Sequence, residues 1–183
     1  RDRIADVMDI LKSGLAPYIL RMYKQVYKDR YLQEIEITLY SDVYSVSLPD
    51  EASAHERVDT QGWLNLLSRR WKEVFGNTLS QTERNYVSEL AQSRNDWAHQ
   101  KAFTNEMAQR VADTATLLLT AIGSSEAVKT RYINAELRRL LFDAEQRQAQ
   151  KPVNGVDMPT TTKQGLKPWR LVVTPHPDVA SGN

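Results

Sequence analysis

The chain has 183 residues, of which 41% are hydrophobic and 26% charged, with a formal net charge of +1; this suits one globular domain plus a tail. A charge so near zero supplies no general drive toward nucleic acid, so any RNA contact must come from a local patch. The absence of cysteine excludes a disulfide scaffold and a thiol nucleophile and fits a reducing cytoplasm. His55, His99 and His176 stand in no metal-ligand spacing, and no run approaches the roughly 20 apolar residues of a membrane span. The chain opens on Arg1 without a signal-peptide pattern and reads as a piece of something longer.

Residues 2–30 carry two apolar series at helical spacing, Ile4, Val7, Met8, Ile10 and Leu11, then Leu15, Tyr18, Ile19, Met22, Tyr23 and Val26. Gly14 and Pro17 between them predict a break or a kink, because proline removes a helical hydrogen bond and crowds the preceding turn. Arg21, Lys24, Lys28 and Arg30 give the second series a basic, solvated face. Residues 31–40 are ambiguous, since I-E-I-T-L-Y alternates like a strand but also extends a helix. Residues 41–58 read as a loop, long enough to be a lid or an interface segment, with His55 exposed on it. Asp59 or Thr60 caps a helix over 61–75, which carries the stripe Trp63, Leu66, Leu67, Trp71, Val74 and Phe75 and ends at Gly76-Asn77. Arg69, Arg70 and Lys72 form a second basic cluster. Thr104 caps a buried helix from Asn105 to Ile122, stopped by Gly123. A last helix runs to about Gln150 on a face of Val128, Ile133, Leu137, Leu140 and Leu141. From residue 151 the sequence turns rich in proline, glycine and threonine, which is linker chemistry. There Trp169, Leu171 and Val172 are candidates to pack back on the bundle.

The chain is organised around Ser80 to Gln100. Ser80 and Glu83 make a capping box, and the residues that follow are helix formers. On a helical wheel Val87, Ala91 and Ala98 lie to one side of Arg94, and Leu90 and Trp97 to the other. Arg94 thus sits near the middle of an apolar stripe. A guanidinium there must meet a carboxylate, snorkel out, or face a subunit interface that holds an anion. Asn95 and His99, four residues apart, share a face beside it. As structural residues these would be a paired core arginine and a helix-end histidine. As a site they bring a fixed cation, an amide and an imidazole within a turn and a half.

Arg94-Asn95-Asp96-Trp97-Ala98-His99-Gln100 resembles the signature of the HEPN superfamily: arginine, a polar residue, a few variable residues, then histidine. The run is similar to the small HEPN domains at the front of large bacterial ATPases in phage-defence loci. These are related in turn to the C-terminal HEPN domain of a eukaryotic nuclear RNA-processing endonuclease. The likeness covers residues 1–150 and implies an all-α bundle of about five helices, with 151–183 leading into an ATPase domain. It further implies an endoribonuclease that cuts single-stranded RNA without metal or cofactor and leaves a 2′,3′-cyclic phosphate. Arg94 and His99 from the two copies of a homodimer would then meet at the interface, with Asn95 orienting the imidazole. The chemistry suits these residue types: a histidine moves protons near neutral pH, and an arginine grips a phosphate through two hydrogen bonds. The alternative is a non-catalytic module that dimerises or recruits partners for the ATPase, since fold does not establish activity. A helix-turn-helix DNA binder fits poorly, because the basic residues are dispersed and no recognition helix stands out. The sequence contains no phosphate-binding GxxxxGK[ST] loop.

Overall fold

The two apolar series of residues 2–30 fold into one helix, not two. In the computed structural model, which describes residues 3–40 and 46–149, α1 runs unbroken from Arg3 to Tyr27 with Pro17 inside it. Pro17 removes one hydrogen bond, but the helix carries 12 buried residues, and that packing outweighs the local loss. Gly14 is not a break either. A Cβ there would sit 2.6 Å from Leu119 Cδ2 and 2.9 Å from Ser124 Oγ, so the glycine lets the end of the sixth helix approach α1 closely.

Among the described residues every regular element is helical. A 3₁₀ turn, Lys28–Arg30, leads into α2, Tyr31–Leu39. The helical reading wins there because Tyr31, Ile35 and Leu39 are buried at i, i+4 and i+8, whereas Ile37 and Tyr40 are exposed. The predicted loop 41–58 contains a helix, α3, Glu51–Arg57, whose N-cap Asp50 accepts a hydrogen bond from the Ser53 N–H at 2.7 Å. Residues 41–45 of that loop, like the predicted tail 151–183, lie outside the described residues. His55 on α3 is exposed, as expected. The chain then forms α4, Thr60–Arg69, followed by a π-helical turn, Trp71–Phe75, closed by Gly76 N–H donating to the Trp71 carbonyl at 2.7 Å. Next come α5, Gln81–Ala98, α6, Asn105–Ala121, and α7, Ala127–Ala149. The seven α-helices among the described residues exceed the expected five because the sequence of α2 also reads as a strand and α3 falls within the predicted loop.

α4 and α6 each pack against both α1 and α5, which places α1 and α5 across the bundle from one another. α2 covers the α1–α4 seam, and α3 lies on α1. The core joins Leu11, Ile19 and Tyr23 of α1 to Trp63 and Leu67 of α4, Leu90 of α5 and Leu118 of α6, all fully buried. α7 departs from its predicted face. Leu137 is buried and Ile133 packs on the core, but Val128 and Leu140 are exposed, and Thr130 and Asn134 are buried instead. Hydrogen bonds explain the rotation. Asn134 donates to Asp113 at 2.7 Å and accepts from Gln109 at 3.0 Å, so a polar seam sets how α7 lies on α6. No helix among the described residues is long and apolar enough to cross a membrane.

Candidate functional site

α5 starts as its sequence dictates. The Ser80 N–H donates to the Glu83 carboxylate at 2.7 Å, and Ser80 Oγ accepts from the Thr82 N–H at 3.2 Å. The Ser80 contact holds the Glu83 carboxyl below the usual carboxylate range. The first three turns of α5 after the cap bury Val87 and Leu90. Past Leu90 the helix leaves the core. Ala91, Arg94 and Trp97 are half-buried, and Asn95, Ala98 and His99 are exposed. The apolar stripe continues in sequence, but its second half lies on the rim of the bundle. Trp97, which its spacing puts on the same apolar stripe as Leu90, packs against the edge of the core.

Arg94 meets a carboxylate. Its Nη2 donates to Asp59 Oδ2 at 2.7 Å, with the two side chains 25% and 51% exposed. Asp59 is the N-cap of α4, and its Oδ1 accepts the Gly62 N–H at 2.8 Å. Sequence reading marks Asp59 only as a cap. Nothing in a pair of residues 35 apart signals that one carboxylate caps one helix and holds the motif arginine of another.

His99 is the C-cap of α5, and its N–H donates to the Asn95 carbonyl at 3.1 Å. The turn beyond it is a Schellman motif. Lys101 N–H bonds the Asp96 carbonyl at 3.1 Å, and Gln100 N–H bonds the Trp97 carbonyl at 2.9 Å. That geometry needs a left-handed residue, and Gln100 adopts φ 55 to supply it. α6 ends in the same motif with Gly123 at φ 70. Asp96 fastens the turn a second time, because its carboxylate accepts the Lys101 ammonium at 2.5 Å and the Gln92 amide at 2.9 Å. The Lys101 contact, first of several, holds the Asp96 carboxyl below its usual range. His99 therefore projects from a helix end whose backbone is fixed twice.

Of the three predicted site residues, the structure brings Asn95 and His99 together through backbone, not side chains. The Asn95 amide makes no hydrogen bond among the described residues. Arg94 and His99 are five residues apart on one helix, so they point about 140° away from each other. The basic clusters divide. Arg69 donates to the Thr38 carbonyl at 2.7 Å and Arg70 pairs with Glu73 at 3.1 Å, so these two staple the π turn and α2. Arg21, Lys24 and Lys28 line an open cleft of 510 Å³ between α1 and α3, where Glu51 pairs with Lys24 at 3.4 Å. Among the described residues no three His, Asp or Glu side chains are grouped to hold a metal ion.

The all-α bundle is a HEPN domain, a class that includes ribonucleases and nucleotide-binding modules. HEPN domains commonly dimerise and bind RNA. Within that class, the family model for Swt1-like HEPN matches residues 6–123, from the start of α1 to the glycine that closes α6, and the chain belongs to this family. No curated protein and no solved structure matches the chain.

Proposed function

We propose that this chain is a metal-independent endoribonuclease domain that cuts single-stranded RNA at a composite site between two copies, as part of a larger antiviral-defence ATPase in the cytoplasm. The observation that carries the reading is the placement of the motif. Arg94 and His99 stand on the half of α5 that leaves the core, on a partly apolar rim that includes Ala91, Trp97 and Ala98. A single copy turns the two side chains to different sides, and a second copy supplies the complementary pair.

The chemistry balances with these groups alone. The His99 imidazole takes the proton of the ribose 2′-OH, and the 2′-oxygen attacks the adjacent phosphorus. The charge gathering on the phosphoryl oxygens is met by Arg94 guanidinium donors. The bond from phosphorus to the 5′-oxygen breaks. His99 of the partner subunit, protonated, gives that oxygen its proton, leaving a 2′,3′-cyclic phosphate and a 5′-hydroxyl. Asn95 lies one turn before His99 with a free amide, within reach of the imidazole after a rotamer change.

The experiment incubates the purified chain with end-labelled single-stranded RNA in excess chelator. Wild type should cut, while Arg94→Met and His99→Ala should not. The double variant should be no worse than either single one, because both residues act in one step. Cleavage unaffected by either substitution would overturn the reading. One observation favours the second reading, a non-catalytic module for dimerisation or recruitment: the motif arginine is already bonded to Asp59 within its own chain.

A further inference from the structure

The bond to Asp59 has a geometry that a simple charge pair would not require. The two carboxylate oxygens are divided between two partners. Oδ1 is fixed by the Gly62 N–H at 2.8 Å, and Oδ2 receives Arg94 Nη2 at 2.7 Å. The carboxylate is therefore part of the α4 terminus, held in extended backbone at φ −82 and ψ 175, and cannot follow a wandering side chain. A guanidinium has five N–H donors, and a bidentate grip on a phosphate uses two of them. Among the described residues Arg94 gives one bond, from Nη2, and its side chain is a quarter exposed. Its two bidentate edges, Nε–Nη2 and Nη1–Nη2, share Nη2, which carries two N–H bonds; Asp59 takes one of these, so one edge is left whole for a ligand. The positive end of the α4 dipole faces the same carboxylate and offsets part of its charge. An arriving phosphate thus meets a held cation more than a competing anion.

We propose that Asp59 is a positioning residue of the site: it pins the Arg94 guanidinium by one nitrogen and presents the other donors to the RNA phosphate. The inference rests on the ribonuclease reading and adds a residue that the motif does not contain. It also reverses the sense of the Arg94–Asp59 bond. The pair prepares the arginine for the transition state instead of withdrawing it from the reaction.

Two substitutions separate the charge from the cap. Asp59→Asn keeps a good N-cap and loses the charge, and Asp59→Ser keeps a cap but is too short to hold Arg94. Both should melt close to wild type. Loss of a carboxylate makes the site more positive, so KM for a single-stranded RNA oligonucleotide should stay equal or fall. The kcat should drop about tenfold or more in both, because a misplaced donor is costly only where geometry matters. Asp59→Glu, which restores the charge on a longer arm, should recover part of kcat while melting lower. Wild-type or higher kcat in both the Asn and Ser variants overturns the inference, a rise meaning that Asp59 restrains Arg94. Arg94→Met and His99→Ala are run alongside. If those two are inactive while the Asp59 variants cut at the wild-type rate, only the role of Asp59 falls. If those two cut like wild type, or wild type leaves the RNA intact, the ribonuclease reading falls and takes this inference with it.

Discussion

Replacing Arg94 by Met separates a residue held for chemistry from one held for the fold. The substitution keeps most of the aliphatic stem, so packing against the rim is largely retained. What disappears is one ion pair of 2.7 Å, between side chains 25% and 51% exposed. At that exposure the pair is screened, and such bonds contribute about 0.2–1 kcal/mol net. Asp59 is not stranded by the loss, because it is half exposed and keeps its bond to the Gly62 N–H. A reduction of about 1 kcal/mol lowers the melting temperature of a chain this size by roughly 2–4 °C. Of the fates the sequence leaves open for Arg94, a dimer cleft crowded with like charge would give no loss or even a gain on its removal. Asp59 changes that sign. A fully buried arginine would behave otherwise, since removing one partner of a buried pair costs about 3–5 kcal/mol. The assay pairs a thermal melt with RNA cleavage on the same preparation. A fall of roughly 10 °C or more, with cleavage intact, would make Arg94 a structural arginine and remove it from the site.

Three further outcomes follow from the same geometry. Gly14→Ala should destabilise by roughly 1–3 kcal/mol, because the new methyl meets Leu119 and Ser124 inside contact distance; denaturant melts check it. Gln100→Gly should stabilise by about 1 kcal/mol in the same melts, because glycine adopts the left-handed conformation of φ 55 without a Cβ clash. Arg110 donates to both oxygens of Glu89, at 2.6 and 2.8 Å, and this contact holds the Glu89 carboxyl below its usual range. A lowered folded-state value stabilises above the ordinary glutamate range, about pH 4.3, and that contribution disappears as pH falls through the lowered value. Arg110→Gln should therefore flatten the acid side of a plot of melting temperature against pH; an unchanged slope would show that the pair contributes nothing.

Much of this was legible because short-range rules decide it. The Ser80–Glu83 box, the Thr104 cap and the Gly123 stop each depend on four or five neighbouring residues, and each is where the sequence puts it. The failures are long-range. Pro17 reads as a break because its local effect is real, yet the burial along α1 that overrides it depends on other helices. The face of α7 was misjudged because a polar seam of Asp113, Gln109 and Asn134 orients the helix, and hydrophobic periodicity carries no trace of it. At the site, the wheel placed Arg94 correctly in the apolar stripe. It could not show that the stripe emerges from the bundle after Leu90, because that depends on where α4 and α6 begin.

The end of α5 shows how the bundle serves such a site. The helix must carry its motif out of the core without fraying, since a loose last turn would scatter the His99 ring. Core packing supplies little restraint there, because Asn95, Ala98 and His99 are exposed and Trp97 packs only at the core's edge. The restraint comes from polar contacts instead: the Asp96–Lys101 pair, the Schellman bonds, and the link from Arg94 to the cap of α4. A glycine would close the turn with less strain, as Gly123 does for α6. Gln100 at that position keeps the unfolded chain less free and places an amide one residue past His99. That arrangement suits a helix end presented to a ligand better than one that only connects two helices.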